Sequence, residues 1–100
     1  MENLENALEY IDEEIKIHTE KLLSLREKVE ELKPRAHELS LAYALTNESE
    51  VGRKSKEVGL SITALEREIN KLDFYIQSLW TSKGNLTQIM NGEEQLGNTK

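Results

Sequence analysis

The sequence predicts an all-α protein, an antiparallel two-helix coiled-coil hairpin that dimerises into a four-helix bundle. Three observations lead there. Apolar residues recur at alternating spacings of four and three along most of the chain, and the register of that repeat shifts near its midpoint. Strand-forming aromatics are scarce, with Phe, Trp and Tyr making up 5% of the 100 residues. A hydrophobic content of 37% beside 32% charged residues suits a narrow apolar stripe between solvated faces.

The first arm carries its seam at Leu4, Leu8, Ile11, Ile15, His18, Leu22, Leu25, Val29, Leu32, Ala36, Leu39, Tyr43 and Thr46. The second carries Val51, Ser55, Val58, Ile62, Leu65, Ile69, Leu72, Ile76, Leu79, Lys83, Leu86 and Met90. Of these 25 positions 20 hold Leu, Ile, Val, Met or Tyr, where composition alone would fill roughly nine. The repeat is therefore built into the chain.

Heptad a positions fall at 8, 15, 22 and 29 in the first arm and at 62, 69 and 76 in the second, so five extra residues separate the registers. A continuous coiled coil absorbs insertions of four or three by local unwinding or overwinding, but not five. The chain is expected to turn at 46–49, giving arms of about 3–46 and 49–90 within one domain, 1–91. Asn47 followed by Glu50 has the chemistry of a capping box that would start the second arm. Small residues flank the turn, Ala36, Ser40, Ala42 and Ala44 before it and Gly52, Ser55 and Gly59 after it, which permits close backbone approach.

Pro34 removes one hydrogen bond from the first arm and crowds the carbonyl of Glu30, so a kink is expected there. A full break would give the alternative architecture, a three-helix bundle with a short helix from Arg35 to Leu45. The second arm has two candidate stops, Lys83 before Gly84 and Met90 before Asn91 and Gly92. Residues 92–100 are expected to be a disordered tail.

The residue inventory argues against catalysis. There is no cysteine, and hence no thiolate nucleophile and no Cys-based metal site. His18 and His37 lie 19 residues apart, roughly 28 Å along a helix, too far to share an ion. No Ser sits in a nucleophile elbow, and no Gly-rich phosphate loop is present. The acids of the first turns, Glu9, Asp12, Glu13 and Glu14 among them, lack a sheltered pocket to perturb them and read as solvated charge. No catalytic residue, cofactor or metal ligand is expected. The acidic opening of the chain and the lack of a long apolar run predict a soluble cytoplasmic protein, with no membrane segment.

Charge and aromatic placement point to protein partners instead. Residues 1–50 hold 13 acids and 6 bases, and residues 51–100 hold 6 acids and 7 bases. Arg53, Lys54 and Lys56 cluster after the turn, so two antiparallel hairpins would set each basic end beside the acidic Glu9, Asp12 and Glu13 of the other. Three bases in a chain of net charge −6 are too few for direct nucleic-acid binding. His18 reads as a polar residue that sets register in the seam. Phe74, Tyr75 and Trp80 fall at heptad f, g and e, while Tyr10 and Ile17 fall at c, which predicts an apolar second face for an oligomer or partner interface. The architecture resembles small coiled-coil hairpin adaptors, chaperones and assembly factors. The expected function is a non-enzymatic protein-protein interaction module whose partners are a second copy and another protein. The alternative is a small acidic inhibitor that occupies a nucleic-acid-binding or other basic surface of a target protein.

Overall fold

The computed structural model describes the backbone of residues 2–98 and the side chains of residues 3–92. The chain is a helical hairpin of α1 (Glu2–Thr46) and α2 (Ser49–Asn98), and the described residues contain no strand. The predicted seam is the face turned inward. Every described seam residue of α2 is at least half-buried, and in α1 only Tyr43 and Thr46, next to the turn, are exposed. The periodicity forms helix because each arm can hide that stripe only against the other.

The connection falls where the shift of register put it, at Asn47 and Glu48. Asn47 has a φ of 54°, and its N–H donates to the Tyr43 carbonyl at 2.7 Å. That is the left-handed residue that closes a helix, a conformation Asn tolerates better than most side chains. The Thr46 hydroxyl donates to the Ala42 carbonyl at 2.8 Å and accepts from the Glu48 N–H at 3.4 Å. The first bond of α2 runs from the Gly52 N–H to the Glu48 carbonyl at 3.0 Å, so Glu48 occupies the N-cap position. The expected capping box on Asn47 is thereby corrected: its backbone is already committed to ending α1. Glu50 sits in the first turn of α2, where the helix dipole favours a carboxylate.

α1 runs unbroken through Pro34, which overturns the three-helix alternative. An interior proline costs about 3 kcal/mol. Here the inward stripe continues across it, with Val29 and Leu32 before and Ala36 and Leu39 after, and that shared burial holds both sides in one helix. α2 likewise passes both expected stops and reaches Asn98. Glycine inside a helix costs about 1 kcal/mol, a penalty rather than a stop, and no proline follows Gly84 or Gly92. Of the expected disordered tail, 92–98 carry helical backbone, and residues 99 and 100 lie outside the described residues.

α2 is rich in Ser and Thr, weak helix formers because their hydroxyls compete for backbone groups. The hydroxyls of Ser61, Thr63, Ser78, Thr81 and Thr87 bond the carbonyl one turn back, as Thr63 does to Gly59 at 3.0 Å and Thr87 to Lys83 at 2.8 Å. The competing hydrogen bond is thus made without leaving the helix.

The hairpin divides into two compact units. The turn unit is Leu22–Lys71, in which Leu22, Leu25 and Val29 are buried. Their spacings of three and four put them on one stripe of α1, and burying each contributes about 1.5–3 kcal/mol. Nearer the turn the Ser40 and Ser55 hydroxyls meet at 3.1 Å across the arms. A Cβ on Gly52 would stand 2.5 Å from Tyr43 Cε2, so the Tyr43 ring rests on bare backbone. Not every expected small residue meets the other arm closely: Ala44 is exposed, and a Cβ on Gly59 would meet nothing within 4 Å.

The terminal unit joins the chain up to Lys21 with the chain from Leu72 onward, and buries Ile15 and Ile76. Contacts of His18 with Tyr75 and of Asp12 with Lys83 set its two segments antiparallel. Two positions of its seam, His18 and Lys83, are polar.

Candidate functional site

The chemistry-bearing side chains of the terminal unit gather around its two polar seam positions. His18 Nδ1 lies 2.9 Å from the Glu14 carbonyl and 3.4 Å from Glu14 Oε2. A carbonyl oxygen only accepts, so Nδ1 carries the proton and Nε2 of a neutral ring is the free acceptor. The other side of the imidazole meets the Tyr75 ring, with centroids 4.8 Å apart and planes tilted by 53°. Glu14 also reaches Tyr10, one turn earlier on α1. Its negative charge is the leading cause that raises the Tyr10 phenol above the ordinary value, with a smaller contribution from Tyr75. Tyr10, Glu14, His18 and Tyr75 therefore form one linked group.

Lys83 organises a second group. Its Nζ pairs with Asp12 Oδ1 at 2.6 Å and stands 5.1 Å from the centroid of the Trp80 ring, within cation–π range. A lysine in the seam is tolerated because its stem packs inward while its ammonium reaches an acid on the opposite arm. Trp80 follows Tyr75 by five residues, so it projects about 140° away around α2. The structure thus divides the expected aromatic face. Tyr10 and Ile17, seven residues apart on α1, share one flank with Tyr75, Trp80 belongs with Asp12 and Lys83, and Phe74, next to Tyr75 but opposite the seam, faces outward between them.

All five of these apolar interface residues are exposed, Phe74 at 74% and Tyr10 at 67%, while His18 is half-buried. Among the expected electrostatic residues, Asp12 is engaged within its own chain. Arg53 donates to Glu50 at 2.6 Å and to Glu57 at 2.9 Å, and Glu50 leads in raising its pKa further. Lys54, Lys56, Glu9 and Glu13 are exposed, without an ion pair among the described residues. The basic cluster after the turn is consequently weaker than its composition suggests.

Sequence reasoning did not single out the Glu14 link to Tyr10 or the Lys83 bridge. A lysine at an a position facing an acid across an antiparallel seam was the available signal for the second. Also missed was a groove of about 420 Å³ in the turn unit, lined by Arg26, Val29, Glu30, Lys33, Glu66, Ile69 and Asn70. It opens one turn before Pro34.

Among the described residues no three or more of His, Cys, Asp and Glu gather to hold a metal ion, and no helix is long and apolar enough to cross a membrane. No protein-family model, curated protein or solved structure matches this chain.

Proposed function

We propose that this hairpin is a non-enzymatic protein-protein interaction module of the cytoplasm, self-associating into a four-helix bundle and presenting a further face to another protein. The observation that carries the reading is that the seam is satisfied within the chain while large apolar side chains remain outside it. Among the described residues no side chain is fully buried, and Leu41, Leu45 and Leu60 in the turn unit, like Tyr10 and Phe74 in the terminal unit, face solvent. A two-helix core alone leaves apolar area whose burial by a partner is favourable.

Charge favours the turn unit for self-association. Residues 22–71 hold nine acids and nine bases, so two copies meet there without net repulsion. Light scattering should give twice the 11.5 kDa chain mass, and Leu41→Glu with Leu60→Glu should return it to the monomer. A monomer at every attainable concentration would defeat self-association.

The second reading, an acidic inhibitor that covers a basic surface of a target, is favoured by the exposure of Glu9 and Glu13, which have no ion pair among the described residues. Binding carried by charge alone would fall steeply with salt and ignore loss of Tyr10 and Phe74.

A further inference from the structure

We infer that the flank of the terminal unit formed by Tyr10, Ile17 and Tyr75, bordered by the outward-facing Phe74 and by Glu9, Glu13 and Glu14, docks a cationic amphipathic helix of another protein. The inference rests on the interaction-module reading and names the partner chemistry of one face. Tyr10 and Ile17 are seven residues apart, so they project from the same side of α1 two turns, about 10 Å, apart. Glu13 and Glu14 fall between them at i+3 and i+4, which sets carboxylates into the apolar stripe. Across the arms, Tyr75 lies against His18 of the same flank, and Phe74 stands beside it, the most exposed aromatic of the chain.

Electrostatics selects the occupant. Residues 1–21 and 72–100 hold ten acids and four bases, so the whole net charge of −6 belongs to this unit, while the turn unit is neutral. One of those bases, Lys83, is already engaged by Asp12 and Trp80. A second copy that met it with its own terminal unit would bring the same charge and be repelled, and a nucleic acid or anionic membrane surface would be repelled likewise. A helix with leucine-like residues on one face and Lys or Arg along its edges satisfies both features. Its apolar face covers Tyr10, Ile17, Phe74 and Tyr75, its cations meet Glu9 and Glu13, and ammonium or guanidinium groups can stand over the exposed rings as Lys83 stands over Trp80.

The test titrates the full chain with labelled synthetic peptides. One is leucine and lysine at helical spacing, one replaces its lysines by glutamate, and one scrambles the leucine–lysine peptide so that it has no apolar face. Binding is expected for the first alone. Tyr10→Ser with Phe74→Ser should weaken it about tenfold or more. Glu13→Gln with Glu9→Gln should weaken it less and flatten its salt dependence, while Leu23→Ser, at an exposed site of the turn unit, should leave it unchanged. Equal binding of the scrambled or glutamate peptide would overturn the inference, as would indifference to Tyr10→Ser with Phe74→Ser in a chain whose helicity is unaltered. Light scattering on the same samples separates the two proposals. A dimer that ignores the peptide defeats this inference alone, and a monomer that binds it defeats only self-association.

Discussion

The turn unit and the terminal unit are built from the same two helices and the same heptad repeat, yet they solve the seam differently. In the turn unit Leu22, Leu25 and Val29 bury a continuous apolar stripe, and the arms close near the turn on small groups, the Ser40 and Ser55 hydroxyls and the bare backbone of Gly52. In the terminal unit the stripe is interrupted by His18 and Lys83, each answered by a neighbour, Glu14 and Tyr75 for the imidazole and Asp12 and Trp80 for the ammonium. The first arrangement puts stability into dispersion and burial, which do not depend on ionisation. The second spends part of its seam on polar contacts that fix register and carry little net stability, because exposed ion pairs are screened and their desolvation is incomplete.

The largest effect should come from breaking the continuous stripe. Leu25→Ala should cost about 2–4 kcal/mol in urea denaturation, while Leu60→Ala, at an exposed site of the same unit, should cost under about 0.5 kcal/mol at concentrations where the chain is monomeric. Equal costs at higher concentration would mean that Leu60 is covered in solution, which is the self-association proposal read another way. Replacing an interruption should make the two units alike. His18→Leu is expected to stabilise by roughly 1–2 kcal/mol, since the Glu14 carbonyl keeps its backbone hydrogen bond and the seam gains an apolar side chain.

The glycines sharpen the contrast between crowded and open backbone. Gly59→Ala should stabilise by about 1 kcal/mol, because the new methyl meets nothing and the helix gains propensity. Gly52→Ala should lose that gain, since the new methyl would stand 2.5 Å from Tyr43 Cε2 and force the ring aside. Thermal melts of the two variants should shift in opposite directions or differ by several degrees.

The smallest effect is confined to alkaline pH. A phenol whose pKa is raised on folding holds its proton more firmly in the folded chain, so its contribution is present below the unfolded value and is lost as pH rises through the folded one. Tyr10 should therefore titrate above an ordinary tyrosine, and Glu14→Gln should bring it back toward the ordinary value. The ring carbon chemical shift of Tyr10 reads this directly, and stability near neutral pH should not depend on it.

Much of this was legible in the chain. A repeat of four and three marks the buried stripe because side chains spaced this way share one side of a helix, and the five-residue change of register marks the turn because no coiled coil absorbs it. Placement of Phe74, Tyr10 and Trp80 outside the stripe followed from the same arithmetic. Local end signals misled, since Gly84, Gly92 and Pro34 each penalise a helix by an amount that burial along a long stripe outweighs.

By itself, then, the sequence determined the helical class, the inward face and the point of reversal, all consequences of periodicity within one segment. Only the tertiary structure decided which side chains meet across the arms. It joined His18 to Tyr75 and Lys83 to Asp12, and gave Asn47 to the end of α1. The reason is physical: a repeat specifies direction around a single axis, whereas a contact between axes depends on their relative rotation and stagger, which are set by the packing of all the seam residues together.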